Sequence, residues 1–218
     1  AFGEAVYYEV IDELYKFRAK AKLYDKLPKK PQWIYSYKAY HNLLFRTHLT
    51  TGLPANLSLC AFEPLLQSVW SELPQGNLCF TGGLERGYTT ESTVFYIDTL
   101  RDFANSNKPR MLNARFAHAA TYYVNYLYVV GGGQRIANRQ MTLRDCERFN
   151  VKLEKWEAFE PLPVGCCNTS VISLEESRGL YALGGSIEDQ KVDLIQRLSL
   201  AELRWDILKL KLPSPYEW

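Results

Sequence analysis

An apolar strand that runs into a double glycine occurs three times. It reads Leu78-Cys-Phe-Thr-Gly-Gly83, then Tyr126-Leu-Tyr-Val-Val-Gly-Gly132, then Gly179-Leu-Tyr-Ala-Leu-Gly-Gly185. The pairs Gly82-Gly83, Gly131-Gly132 and Gly184-Gly185 lie 49 and 53 residues apart. The residues after the second and third pairs also repeat. Cys146-Glu-Arg-Phe-Asn150, Trp156 and Leu162-Pro163 come after the second; Gln196-Arg-Leu-Ser-Leu200, Trp205 and Leu212-Pro213 come after the third. A period of about fifty residues with about four strands per unit is what one blade of a β-propeller requires. Glycine at the end of a strand fits a sharp backbone turn with positive φ and close packing between blades.

Composition supports the all-β reading. Aromatics make up 14% of the chain, with 15 tyrosines, and such residues suit pleated, half-buried strands. A formal net charge of +2 predicts no strong field toward nucleic acid or membrane. No apolar run reaches the length of about 18 residues that a membrane-spanning helix needs, so no span is expected. The five cysteines show no C-x-x-C pair and no zinc-ligand spacing. They are expected as buried free thiols of a reducing compartment, with the vicinal Cys166-Cys167 in a loop. Asn56-Leu-Ser58 and Asn168-Thr-Ser170 match the glycosylation pattern and are expected to be chance matches, because no signal peptide is visible.

The repeated stretch resembles the kelch-repeat β-propellers. Arg115-Phe-Ala-His118 is similar to the family's Arg-x-x-His opening of a blade, and Tyr128 and Trp156 fall where the family places an aromatic pair. Cys167-Asn-Thr-Ser170 stands where the third unit needs Arg-x-x-His, and no tryptophan lies between Gly83 and Met111. The resemblance covers Leu57 to Leu212. It implies an all-β, kelch-type propeller of three to four blades. In that family, basic residues near the axis on the loop face often bind acidic peptides, and Arg115 stands at a matching position.

In chain order, residues 1–32 are expected to form an amphipathic helix and linker. Tyr7, Val10, Leu14, Phe17, Ala21 and Tyr24 fall on one helical stripe. Acidic residues cluster toward its start and lysines toward its end, which complements the helix dipole, and Pro28 stops it. This stripe either packs on the chain's own propeller or docks on another protein. Residues 33–218 are expected to be propeller: a degenerate blade over 33–76 and blades over about 77–110, 111–165 and 166–213. Within this scheme Trp70 belongs to the end of the degenerate blade, since Leu73-Pro74 comes after it as Leu162-Pro163 comes after Trp156. At about fifty residues per blade, six blades need roughly 300 residues, so the 218 residues are expected to be a portion of a longer protein.

No motif carries catalytic chemistry. The three histidines are His41, His48 and His118; His118, in the blade-opening pattern, is expected to make a buried strand hydrogen bond, and His41 and His48 have no Cys, Asp or Glu at ligand spacing beside them. Some kelch-like propellers are copper radical oxidases, but that family's histidine pair has no match here. Gly131-Gly-Gly133 lacks the Gly-Lys-Ser/Thr of a phosphate loop. The expected function is therefore non-catalytic protein binding, with no cofactor, metal, nucleic acid or small-molecule substrate. The expected role is a scaffold or structural subunit of an intracellular complex, cytoplasmic and by family analogy cytoskeletal or ciliary. An adaptor for ubiquitin ligation is the alternative, and a kelch-like enzyme the alternative from another class. Candidate partner-binding residues are Arg115, the loop arginines Arg135, Arg139 and Arg144, and Tyr7, Leu14 and Phe17 on the helix. For Arg115 the competing expectation is pairing within its own blade.

Overall fold

The computed structural model describes residues 33–38, 43–48, 51–59, 63–86, 89–101, 103–136, 139–174 and 177–216. The helix expected over residues 1–32, with Tyr7, Leu14 and Phe17, lies outside the described residues, as do His41 and Cys60. The chain divides into two compact units, Ala1–Phe62 and Glu63–Trp218.

In the first unit, β1 (Trp33–Lys38), β2 (Leu43–His48) and β3 (Pro54–Leu59) form an antiparallel sheet in chain order. Leu44 is its buried anchor.

The second unit contains three four-stranded antiparallel sheets. The first is β4 (Val69–Leu73), β5 (Asn77–Leu84), β6 (Thr90–Asp98) and β7 (Ala104–Asn107). The second begins with β8 (Ala119–Tyr123) and β9 (Tyr126–Val130). A two-stranded hairpin comes next, β10 (Gly133–Ile136) with β11 (Arg139–Thr142), before β12 (Cys146–Asn150) and β13 (Lys155–Phe159) complete that sheet. The third repeats this plan with β14 (Ser170–Leu174), β15 (Gly179–Leu183), the short hairpin β16 (Ser186–Ile187) and β17 (Gln190–Lys191), β18 (Ile195–Ser199) and β19 (Arg204–Ile207). These are successive propeller blades, each an up-and-down sheet in chain order.

Trp70 is where sequence and structure part. β4 pairs with β5 from Val69↔Thr81 to Leu73↔Asn77, so it opens the first of these sheets and does not end an earlier one. The spacing misleads because Trp156 lies in the fourth strand of its blade, whereas Trp70 lies in a first strand.

The double glycines join blade to blade. The first glycine of each pair has φ between +58° and +60°, and the segment leading into the next blade crosses directly over it. A Cβ on Gly131 would lie 2.5 Å from the Cys166 carbonyl, and one on Gly184 2.6 Å from that of Tyr216; on Gly82 it would strike the Arg115 carbonyl. The second glycine faces its own blade's lead-in: a Cβ on Gly132 would lie 2.7 Å from His118 Cβ. Its N–H donates onward, from Gly83 to Arg115 O at 2.9 Å, from Gly132 to Cys166 O at 2.8 Å and from Gly185 to Tyr216 O at 2.6 Å. A side chain at either position would cost both the turn and the seam.

These hydrogen bonds correct the repeat register. Arg115 and Cys166 hold equivalent places, and the bridges Phe116↔Gly133 and Cys167↔Ser186 say the same. The third unit's counterpart of Arg115-Phe-Ala-His118 is therefore Cys166-Cys-Asn-Thr169, one residue earlier than the motif spacing suggests.

Two further links recur. Trp156 Nε1 donates to Pro109 O at 2.8 Å, and Trp205 Nε1 to Glu160 O at 2.9 Å. Each outer-strand tryptophan thus fastens its blade to the chain leaving the blade before. On the inner side, Ala117 N donates to Gln67 O at 3.0 Å and Asn168 N to Ala117 O at 2.7 Å. All three of those residues have φ between +47° and +55°. Apolar packing fills the seams. Leu73, Val94, Tyr96 and Met111 meet Leu127, Val129, Phe149 and Trp156 at one seam; Tyr128, Val130 and Leu162 meet Leu180, Leu198 and Trp205 at the next. Each such side chain contributes about 1.5–3 kcal/mol when fully buried.

Candidate protein-binding face

In an up-and-down sheet, the first and third turns lie at one end of the strands and the middle connection at the other. Both inserted hairpins are middle connections, so they project from the same face. The stretch 133–144, expected as a loop, is this β10–β11 hairpin. It carries Arg135, Arg139 and Arg144 and no acidic residue. The pairs Ile136↔Arg139 and Gln134↔Met141 place Ile136, Arg139 and Met141 on one side, because residues opposite each other share a face. Arg135 and Arg139 are exposed, and Ile136 and Met141 are 53% and 51% exposed. Arg135 N also donates to Thr90 Oγ1 at 2.9 Å, tying the hairpin to the preceding blade. Arg144 is exposed but tethered, its Nε donating to Leu162 O at 2.7 Å. The exposed apolar pair was missed in the sequence.

The corresponding hairpin of the next blade has the opposite sign. Glu188 and Asp189 form its tip with φ of +47° and +65°. Asp193 at its base is paired with Lys211 Nζ at 2.9 Å.

Arg115 does not belong to this surface. It is 0% exposed, so the expectation that it meets a partner is corrected and the expectation of pairing within its blade holds. One guanidinium nitrogen donates to Gly131 O at 2.7 Å and Asp145 O at 2.8 Å. The other donates to Glu147 Oε1 at 2.7 Å. Glu147, also buried, accepts from Leu112 N at 2.7 Å and Asn113 N at 3.3 Å. A pair so enclosed tolerates burial because nearly every charge-bearing atom has a partner. The third blade solves the same position without charge. Cys166 stands for Arg115 and Gln196 for Glu147, with Gln196 Oε1 accepting from Val164 N at 2.9 Å and its Nε2 donating to Val164 O at 3.0 Å.

His118 sits beside that pair. Its Nε2 lies 2.8 Å from Thr81 Oγ1 in the neighbouring blade. Burial, reinforced by the Arg115 charge, holds its pKa well below the ordinary histidine value, so it is a neutral strut across the seam. Cys79, Cys146, Cys166 and Cys167 are buried free thiols. Burial pushes the Cys146 thiol up to about 12 and that of Cys166 up to about 11, which is the opposite of nucleophile activation. Among the described residues no group of three or more His, Cys, Asp or Glu is placed to hold a metal ion, and no helix is long and apolar enough to cross a membrane. Asn168 of the second glycosylation match is half-buried and bonded through its backbone N–H to Ala117.

No family model matches the chain. Known proteins do. It is 32% identical to Kelch-like protein 25 of Xenopus tropicalis over 144 residues, 63% of this chain and 24% of that protein. The solved structure of YjhT superposes with a TM-score of 0.65 at 11% identity, over 77% of this chain and 52% of that one, which is a likeness of fold. This is a kelch-repeat protein. Kelch repeat and BTB domain-containing protein 12 of Homo sapiens is also similar, 28% identical over 99 residues, 43% of this chain and 14% of that protein. The chain spans about a quarter of Kelch-like protein 25. In these kelch repeats, the double glycines and the outer tryptophans build blade seams, and the Arg115–Glu147 pair braces its own blade.

Proposed function

We propose that this chain is a non-catalytic protein-binding module that captures an acidic, partly apolar segment of a partner on the β10–β11 hairpin. The observation that carries this is the hairpin itself: exposed Arg139 with exposed Ile136 and Met141 on one side and exposed Arg135 on the other, on a rigid scaffold and with no acidic residue within the hairpin. Arginine and large apolar side chains anchor protein interfaces, and loops on a rigid frame are where binding resides. The role we assign is a scaffold or structural subunit of a multi-protein assembly.

A second reading is substrate recognition for ubiquitin ligation, to which the family resemblance points. It draws on a relative whose name joins kelch repeats to a BTB domain. Affinity capture of the native protein, read by mass spectrometry, tests both. The double variant Arg135→Glu/Arg139→Glu should keep the wild-type melting temperature and lose the captured partners. Undiminished capture by the folded variant would overturn the hairpin as the docking face. Co-purifying ubiquitin-ligase subunits would favour the adaptor; a stable stoichiometric complex without them would favour the scaffold.

A further inference from the structure

The opposite face, where the first and third turns of each blade lie, carries a second feature. Between blades two and three is a cleft of about 290 Å³ lined by Tyr123, Val124, Tyr126, Tyr128, Arg178 and Leu200. Its rings are held in place. Tyr126 and Tyr128 lie 6.0 Å apart at 50°, and Tyr128 meets Phe159 edge-on at 5.5 Å. Arg148 stacks on Tyr126 at 4.4 Å while bonded to Glu157 Oε2 at 3.0 Å. The rims are stitched as well: Val151 N donates to Asn125 O at 3.0 Å, and Leu200 N to Arg178 O at 3.1 Å.

The rim residue Val124 is the first of the two residues that turn β8 into β9, a hairpin turn that takes positive φ at both positions, with Asn125 at +67°. Val124 is 61% exposed with φ of +41°, a conformation that is a true outlier for a β-branched side chain. Arg178, across the cleft, is exposed.

We propose that this cleft binds a proline-rich segment of a protein in the polyproline II conformation. The chemistry of the lining selects that occupant. Phenol rings and aliphatic edges offer flat apolar faces, the exposed Arg178 guanidinium offers only hydrogen-bond donors, and the Tyr123 and Tyr126 hydroxyls can donate as well as accept. No lining side chain is acidic. A proline-rich strand is the matching object: apolar rings, outward carbonyl acceptors, no N–H at each proline, and little conformational entropy left to lose. A basic peptide would meet Arg178 unfavourably. This site is independent of the basic hairpin on the other face, so the two readings fail separately.

The test is a titration of fluorescently labelled decaproline with the whole 218-residue chain, read by anisotropy, with a Gly-Ser peptide of equal length as control. Saturable one-to-one binding of decaproline alone is expected. Tyr126→Ala should weaken it about tenfold or more, and Arg178→Ala and Tyr126→Phe by less. Val124→Asn covers the case in which Tyr126→Ala does not fold. Asparagine tolerates positive φ, so this variant should melt higher than wild type and yet bind decaproline more weakly. No saturable binding, equal binding of the Gly-Ser peptide, or unchanged binding by folded Tyr126→Ala or by Val124→Asn would overturn the proposal.

Discussion

Arg115 and Glu147 show how one buried position settles its own chemistry. Removing one partner leaves the other charged and enclosed, which costs about 3–5 kcal/mol. Arg115→Ala should lower stability by that amount in denaturant titration, and Glu147→Gln should also be strongly destabilising. Blade three already carries the neutral solution, Cys166 with Gln196. The double variant Arg115→Cys/Glu147→Gln should therefore be more stable than either single change; simple additivity of the two losses would refute the equivalence. His118 gives a pH prediction. Its pKa is lowered in the folded chain, so below the ordinary value of about 6.5 the unfolded chain binds the proton more readily and stability falls with pH. The contribution is up to about 1.4 kcal/mol per pH unit. His118→Gln should flatten the wild-type slope between about pH 7 and pH 5, measured as the shift of the urea midpoint. The Arg-x-x-His motif marked both residues in the sequence as special. It did not reveal that Arg115 points inward, because burial depends on Gly131, Asp145 and Glu147, which lie 16 to 32 residues away.

Among elements, the seams were the most legible feature and the hairpins the least. A double glycine at a fixed period has one economical explanation, the close passage of a neighbouring backbone, and the contacts over Gly82, Gly131 and Gly184 supply it. The outer tryptophans repeat for a similar reason: each indole N–H reaches a carbonyl of the preceding blade's exit. Trp156→Phe and Trp205→Phe remove that bond and strand a carbonyl, so each should cost about 1–3 kcal/mol. The two losses should be similar in size, as read by thermal melting. Trp70 was misplaced because a tryptophan leading into Leu-Pro recurs by spacing alone, whereas strand order is set by partners; β4 has β5 on one side and the lead-in of the next blade near its other end. The β10–β11 hairpin escaped notice because two four-residue strands are too short for alternation to stand out against three arginines.

At the scale of the propeller unit, the same up-and-down plan produces two faces of different chemistry. The hairpin face is charged, basic on blade two and acidic on blade three. The turn face between those blades is phenolic and donor-rich. Salt separates them. Exposed charges attract over a distance that shrinks from about 10 Å at 0.1 M to about 3 Å at 1 M ionic strength, while burial of proline against tyrosine rings does not depend on long-range charge. Raising salt from about 0.05 to about 0.5 M should therefore weaken capture of an acidic partner on Arg135 and Arg139 by about tenfold or more. Decaproline affinity should stay within about twofold over the same range, because Arg178 acts there as a short-range hydrogen-bond donor. Both affinities can be measured on one preparation by anisotropy. Parallel salt sensitivity of the two ligands would mean that they compete for one charged surface. Divergent sensitivity, with neither ligand displacing the other, is what two independent faces of one kelch unit require.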